Sequence, residues 1–178
     1  MFGLEQNRVS LSLHNDLWTE GFQKEKHRLR TILQAFTPSI EHIGSTAIPG
    51  LKAKPILDIC IGIDNLSLFH QFPFETLQHD QYHRLKNVQL DDRFVLAKFT
   101  DQTYTNKSVV LHIVERGSTT RSTLLLFRDY LTNHQESARL YEQLKRSLAK
   151  QFPTDPKAYT DGKKAFVQEI LQKAGDHK

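Results

Sequence analysis

The most constraining feature of the sequence is a short apolar run that contains a single charged residue. Residues 55–63 read Pro-Ile-Leu-Asp-Ile-Cys-Ile-Gly-Ile, with Asp58 near the middle. The run is too short and too rich in isoleucine for a helix, so it predicts a buried central strand. Burial of an unpaired carboxylate costs on the order of several kcal/mol. We therefore expect a cation, a set of hydrogen-bond donors or an opening to solvent beside Asp58.

Alternation along this strand places Asp58 on its more polar face, because successive side chains of a strand point to opposite sides of the sheet. Asp58, Cys60 and Gly62 share that face. The large apolar side chains share the other face: Leu57, Ile59 and Ile61. A structural role for Asp58, as a loop cap or as the ion-pair partner of Lys54 or Arg93, is the alternative to a functional one.

A second feature is the turn Gly44-Ser45-Thr46, which follows a predicted strand at residues 39–45. Glycine lets backbone N–H groups approach an anion closely, and the two hydroxyls add donors. Twelve residues separate Ser45 from Asp58. In nucleotidyltransferases a Gly-Ser turn at a strand end holds the triphosphate, and an acid on the next strand holds Mg²⁺. Small residues in such a place are otherwise only a turn.

Residues 41–59, Glu-His-Ile-Gly-Ser-Thr-Ala-Ile-Pro-Gly-Leu-Lys-Ala-Lys-Pro-Ile-Leu-Asp-Ile, resemble the signature of the GrpB-like family. Later motifs match the same pattern: Phe127-Arg128-Asp129-Tyr130-Leu131, Tyr141-x-x-Leu144-Lys145 and Tyr159-x-x-x-Lys163. The resemblance implies an α/β (α+β) fold of nucleotidyltransferase type, with a mixed β-sheet core flanked by helices. It carries over Gly44, Ser45 and Asp58 as the superfamily motif. The further candidates for the pocket are His42, Lys54, Arg93, Lys98, His112 and Arg128.

One departure from the nucleotidyltransferase pattern concerns the metal ligands. A second acid normally stands two residues after the first, on the same strand face, and here that position is Cys60. A third acid usually lies on a neighbouring strand, where this sequence offers His112, with Glu115 beyond it. Glu41 is a further candidate from the preceding strand. A lone carboxylate is a poor Mg²⁺ site, although substrate phosphates and water can complete the coordination.

Several candidate residues have a structural alternative. His112 is either a core histidine or a base and phosphate donor that faces Asp58. Lys54 is either a solvated lysine or the cation opposite Asp58. Arg128 either forms a surface ion pair with the next residue or reaches a substrate phosphate.

The orientation of two further sets of candidate residues follows from their positions on a predicted strand and on the last predicted helix. Arg93 and Lys98 have opposite parity on one predicted strand, so only one of them can enter a pocket, and we favour Arg93. The side chains of Tyr159, Lys163 and Phe166 are expected to pack the last helix against the core.

Hydrophobic periodicity and turn residues predict the remaining elements. Besides the central strand, strands are expected at residues 9–13, 39–45, 93–99 and 108–115, and a mixture of helix and loop at 64–77. Helices are expected from Asp16 to about 36, from Ser118 to 131, at 136–150 and from Asp155-Pro156 to near Gly175. We expect one domain over residues 1–178, with an α/β core at about 1–117 and helices at about 118–175 packed on it.

The composition of the chain limits the classes of ligand and partner that it could bind. The net charge of +4 comes from 24 basic and 20 acidic residues interleaved through the chain, which suits an anionic small molecule and lacks the basic stripe of a nucleic-acid binder. The nine histidines show no HExxH or paired Cys/His spacing, which argues against structural zinc. The single cysteine fits the cytoplasm, and no apolar run nears the roughly 20 residues that cross a bilayer. The sequence leaves the oligomeric state open.

Two functions follow from the motifs. The first is a Mg²⁺-dependent nucleotidyltransferase acting on an unknown acceptor, with Gly44-Ser45-Thr46 and nearby cations on the triphosphate and Asp58 on the metal. In this reading His112 or Glu41 positions or deprotonates the acceptor. The second is a non-catalytic module that binds a nucleotide, a coenzyme-A-like molecule or another phosphorylated ligand. Cys60 favours the second, and an RNA-associated role is a weaker third.

Overall fold

The predicted central strand lies in the middle of a mixed β-sheet in the computed structural model, which describes residues 3–5, 7–85, 88 and 90–176. The strands are β1 (Leu4–Glu5), β2 (Ser39–Ile43), β3 (Leu57–Ile63), β4 (Tyr82–Arg84), β5 (Phe94–Phe99) and β6 (Asn106–Glu115). Their order across the sheet is β2-β3-β6-β5-β4, and β1 pairs with the start of β6. The β3–β6 pair is parallel and the other pairs are antiparallel.

Helices cover both faces of the sheet. They are α1 (Leu17–Ile32), α2 (Phe74–His79), α3 (Thr119–Asn133), α4 (Gln135–Gln151), α5 (Pro156–Asp161) and α6 (Lys164–Asp176), with short 3₁₀ turns at Gln34–Phe36, Ser45–Ala47 and Leu66–Gln71. The main core joins α1 to the apolar face of β3, where Ile59, Ile61 and Ile63 are fully buried. The opposite face, which carries Asp58, contacts α3, and α6 packs on α3. The predicted mixed α/β fold is confirmed.

Ser118 and Asp155 cap the helices α3 and α5. The N–H of Arg121 donates to Ser118 Oγ at 3.2 Å, and those of Lys157 and Ala158 donate to Asp155 Oδ1 at 3.0 and 2.9 Å. These bonds satisfy donors that the first helical turn leaves unpaired. Asp16 stands at the start of α1 but its side chain makes no cap, and Asn15 Oδ1 instead accepts the N–H of Leu17 at 2.9 Å.

Three element predictions differ from the structure. The strand predicted at residues 9–13 is wrong, since only an isolated bridge joins Ser12 to Ala53 there. The strand β4 was not predicted. The helix predicted from Asp155 to Gly175 is divided into α5 and α6 at Gly162. A Cβ on Gly162 would lie 2.5 Å from Leu148 Cδ2. The absence of a side chain at Gly162 therefore lets Leu148 of α4 pack closely at this break.

In the part of the chain that the structure describes, no helix is both long and apolar enough to cross a membrane.

A buried polar triad ties α1 to the far edge of the sheet. The Tyr82 hydroxyl donates to Glu25 Oε2, and Lys98 Nζ donates to Glu25 Oε1 at 2.7 Å. The side chains of Lys98 and Glu25 are only 15% and 17% exposed. Lys98 therefore points away from the face that carries Asp58.

We expect Glu25→Ala to lower the free energy of unfolding by about 3 kcal/mol, because it leaves Lys98 charged, desolvated and unpaired. Chemical denaturation measures this loss. Glu20→Ala is the matched control, because Glu20 is exposed on the same helix, and its effect should stay within about 1 kcal/mol. Equal losses in the two variants would show that the triad does not stabilise the fold.

Candidate functional site

A cavity of about 440 Å³ opens beside Asp58, between the sheet and helices α3, α5 and α6. Its polar lining comes from distant parts of the chain: Ser45, Thr46, Lys54, Asp58, Lys107, His112 and Lys163. The lining also has apolar side chains, among them Leu124, Phe127 and Val167. The volume falls in the range of small-molecule sites, which are typically about 300–1,000 Å³. The cavity therefore offers both charged groups and apolar surface.

Gly44 brings the backbone directly against the Asp58 carboxylate. Gly44 has φ +68°, a conformation that L side chains rarely adopt, and a Cβ at this position would lie 2.5 Å from Asp58 Oδ2. The turn therefore requires glycine for two separate reasons, the backbone angle and the space. The pairing of Ile43 with Asp58 in the β2–β3 register sets this approach.

The His112 ring lies against the Asp58 carboxylate. Its Nε2 lies 3.8 Å from Asp58 Oδ1, the range of an ion pair and longer than a hydrogen bond. Burial acts to raise the pKa of Asp58, but the interaction with His112 and the positive charges of Lys54 and Lys163 lower it below its usual value. Asp58 is therefore ionised at neutral pH. Its side chain is 37% exposed, so a ligand in the cavity can contact it.

Two lysines lie on the ring of one buried tyrosine at the edge of the cavity. The Nζ atoms of Lys54 and Lys163 are 5.2 and 4.6 Å from the centre of the Tyr159 ring, a cation–π geometry. Burial, together with the charge of Lys54, lowers the pKa of Lys163 to about 8. Burial and Lys54 also lower the pKa of Lys107. Burial is the largest cause of these shifts, and the charge of Asp58 opposes them.

The turn after β2 is held by the helices and by the following loop. Tyr141 of α4 is hydrogen-bonded to the Ser45 side chain, and burial raises the pKa of Tyr141 to about 12. Thr46 Oγ1 lies 3.0 Å from His42 Nε2 and donates to the Ile56 carbonyl at 3.4 Å. The hydroxyls of the turn are thus positioned before any ligand binds.

His42 lies on the other face of the sheet. Its ring stacks on Phe22 of α1 with a centroid separation of 4.7 Å. Burial lowers the pKa of His42 to about 4, so the ring is neutral at physiological pH. Its contact with the site is indirect, through the hydroxyl of Thr46.

The two predicted arginines lie outside the lining of the Asp58 cavity. Arg128 Nη1 donates to the His42 carbonyl at 2.9 Å and contacts Glu41 Oε2 at 3.3 Å, while its Nε pairs with Asp129. Arg93 Nε contacts Asp92 at 3.5 Å, and Arg93 lines a separate cavity of about 210 Å³. A phosphate-binding role for either residue stays a prediction.

The donor set does not fit a pair of metal ions. Cys60 is fully buried, and burial raises the pKa of its thiol to about 11, so it is a neutral sulfur and a poor ligand for Mg²⁺. Glu41 is paired with Arg128, and Glu115 Oε1 accepts the N–H of Leu66 at 3.1 Å. Across residues 3–5, 7–85, 88 and 90–176, no cluster of metal-ligating side chains large enough to hold an ion is present. A single Mg²⁺ on Asp58 would take its other oxygens from ligand phosphates and water.

Sequence reasoning placed Gly44, Ser45, Thr46, Lys54, Asp58 and His112 together, and the structure brings all of them to one cavity. It missed Lys107 and assigned Lys163 to helix packing. The Tyr159-x-x-x-Lys163 spacing was the available signal for Lys163, because residues four apart share one side of a helical turn. The sequence around Lys107 gave no corresponding signal.

The sequence matches known proteins along nearly its whole length. The family profile described as GrpB protein matches residues 8–173. The Glutamate-rich protein GrpB of Alkalihalophilus pseudofirmus is 40% identical over 171 residues, covering 96% of this chain and 98% of that protein.

Solved structures show where the fold belongs. The crystal structure of the conserved protein GrpB from Enterococcus faecalis superimposes with a TM-score of 0.81 at 28% identity, over 93% of this chain and 96% of that one. The Cid1 poly(U) polymerase, in an H336N mutant bound to MgATP, superimposes with a TM-score of 0.54 at 15% identity, over 79% of this chain and 44% of that one. The second likeness is one of fold alone.

Proposed function

We propose that this chain, which belongs to the GrpB family, binds the phosphate groups of a nucleotide in the cavity beside Asp58. The observation that carries the proposal is the charge of the lining. Lys54, Lys107 and Lys163 face one carboxylate, and their pKa values are lowered by burial. A bound polyanion supplies the missing negative charge and removes this electrostatic cost.

The charged and the apolar lining of the cavity suit the two parts of a nucleotide. The lysines and the hydroxyls of Ser45 and Thr46 are donors for phosphate oxygens. The apolar side, with Leu124 and Phe127, suits a base or another flat group. Cid1 is a nucleotidyltransferase-type neighbour that was solved with MgATP, and this supports a nucleotide as the ligand class. The single buried thiol suits a reducing compartment, and we place the protein in the cytoplasm.

A Mg²⁺-dependent nucleotidyltransferase acting on an unknown acceptor is the second candidate. The contact between His112 and Asp58 favours it, because the pair places a titratable group beside the only carboxylate among the described residues of the lining. A bound Mg²⁺ would neutralise charge on the phosphate oxygens. Asp58 would hold that ion, and His112 would orient or deprotonate the acceptor.

Metal dependence separates the two candidates, and Asp58→Asn tests it by calorimetric titration with ATP in EDTA or in excess Mg²⁺. If the lysines bind the phosphates, ATP binds without metal, and Asp58→Asn tightens it about fivefold because one repelling charge is lost. If the chain is a transferase that uses Asp58 for Mg²⁺, binding requires the metal and the variant abolishes both binding and turnover.

Asp64→Asn is the matched control, because Asp64 directly follows the same strand and its side chain is 70% exposed. It should bind ATP like the wild type. A ligand at 100 times its Kd stabilises the folded state by about 2.7 kcal/mol, which is visible as a rise in melting temperature. If no nucleoside triphosphate raises the melting temperature with or without Mg²⁺, the proposed function is wrong.

A further inference from the structure

A second cavity, of about 630 Å³, adjoins the one beside Asp58. The two cavities have Lys54, Ile56 and Lys107 in common, so these side chains form a dividing wall. The second cavity continues past them towards β1 and the end of β4, where Arg8 and Arg84 line it. A ligand in one cavity therefore lies next to a ligand in the other.

The lining of the second cavity is strongly cationic. Arg8, Arg84 and the two shared lysines contribute positive charge, while Glu5 is the only acid among its described residues. Glu5 Oε2 contacts Arg8 Nη1 at 3.5 Å, so it compensates part of one charge. The described lining therefore carries four positive charges against one negative charge.

Hydrogen bonds fix the rim of this cavity. Leu4 pairs with Lys107 in the β1–β6 ladder, and the Gly3 N–H donates to the Pro55 carbonyl at 2.9 Å. The Arg8 N–H donates to the Glu5 carbonyl at 3.2 Å. The Arg84 guanidinium lies 5.3 and 5.2 Å from the ring centres of Phe69 and Phe94.

The dividing wall gives the chemical class of the ligand. Lys54 and Lys107 both line both cavities, and burial together with the charge of Lys54 lowers the pKa of Lys107. An anion in each cavity would neutralise both sides of this wall. Arginine binds phosphate and carboxylate oxygens in pairs, which suits Arg8 and Arg84 to a phosphate group.

We propose that the second cavity binds the phosphate group of a second ligand, a phosphorylated acceptor that lies beside the nucleotide across Lys54 and Lys107. The role of acceptor rests on the proposed function, whereas the binding of a second anion is tested by itself. The chain would then hold two phosphorylated molecules at once, in adjoining cavities.

The experiment is a calorimetric titration of the full chain with inorganic pyrophosphate in EDTA. We expect two binding events per chain. The double variant Arg8→Gln/Arg84→Gln should weaken one event at least about tenfold and leave the other within about twofold, because each arginine contributes a charge-assisted hydrogen bond. Lys163→Gln, which changes a residue of the first cavity alone, should weaken the other event. The variant Arg8→Gln/Arg84→Lys should regain part of the affinity that Arg8→Gln/Arg84→Gln loses.

The control is Arg30→Gln/Arg139→Gln, which removes two exposed arginines of α1 and α4 and should leave both events unchanged. Equal weakening in this control and in the Arg8/Arg84 variant would overturn the proposal, because the effect would then be one of net charge. A single event that both the Lys163 and Arg8/Arg84 variants weaken would also overturn it, since one extended anion would span the cavities. If the wild type shows only the event that depends on Arg8 and Arg84, and no event that depends on Lys163, the proposed function is wrong and the second site stands.

Discussion

Gly44→Ala is expected to abolish ligand binding and to lower the free energy of unfolding by about 3 kcal/mol or more. Two penalties add at this position. A non-glycine residue at φ +68° is strained, and the new Cβ would lie 2.5 Å from Asp58 Oδ2. The turn and β3 must separate to relieve that contact, which moves Asp58 and the hydroxyls of Ser45 and Thr46 out of their present positions. Denaturant unfolding and titration with ATP measure the two effects.

Gly50→Ala separates strain from contact. Gly50 has φ +75°, but a Cβ there meets no atom within 4 Å. This variant should therefore lose only the cost of the backbone angle, about 1–2 kcal/mol, and should bind ATP normally. The difference between the two variants reports the contact with Asp58. If Gly44→Ala is no less stable than Gly50→Ala and still binds ATP, the close packing of the turn on Asp58 does not support the site.

The fold was predictable where burial imposes a period on the sequence. The run that became β3 alternates as expected, with Ile59 and Ile61 in the main core and Asp58 on the face towards α3. The alternation at residues 9–13 was misleading, because Val9 donates its N–H to the Pro153 carbonyl at 2.8 Å, in the loop after α4. Val9 is buried against Leu148 and Tyr159 of the C-terminal helices and not by a sheet neighbour. The strand β4 spans only Tyr82–Arg84, too short to leave a periodic signal.

The site was predictable only in the part that is local in sequence. Gly44 and Ser45 directly follow β2, and Asp58 lies on the next strand, β3. The spacing of these three residues is therefore visible in the sequence alone. Lys163 comes from the other end of the chain, and its position depends on how α5 and α6 pack over the sheet. Contacts of this kind are set by tertiary packing, which one sequence does not encode as a local pattern.

Strand parity also explains the placement of His42. In β2 the alternation places His42 on the opposite face of the sheet from Glu41 and Ile43, and the register pairs Ile43 with Asp58. His42 therefore faces α1, although it lies within the family signature. A motif identifies residues that a fold retains, while parity decides which of them line the same cavity.

A further buried lysine, Lys145, extends the cationic cluster beyond the cavity. Lys145 is almost fully buried, and its pKa is lowered to about 7 by burial and by Lys163. Lys145 Nζ donates to the Lys52 carbonyl and lies 4.7 Å from the centre of the Tyr141 ring, beside the turn that carries Ser45. The cationic cluster therefore extends from the cavity into the contact between α4 and the turn, and a bound anion would stabilise both.

Lys163→Gln is expected to weaken ATP binding in EDTA about 10- to 100-fold, because it removes a charge-assisted hydrogen bond to phosphate. The wild-type affinity should also fall as pH rises from 7 to 9, since Lys163 loses its proton around its pKa of about 8. In the variant, this part of the pH dependence should be absent. Titration calorimetry at several pH values measures both effects.

The stability of the ligand-free protein should change with pH in the opposite direction. The pKa of Lys163 is about 8 in the folded chain and 10.5 for a free lysine, so the unfolded chain binds more protons between these values. Folding stability should therefore rise with pH across this window, and Lys163→Gln should reduce the rise. Lys164→Gln is the matched control, because Lys164 is the adjacent residue, 71% exposed and paired with Asp161 at 2.7 Å. If both variants bind ATP equally well, Lys163 does not hold the phosphates, because the loss of one positive charge is common to the two.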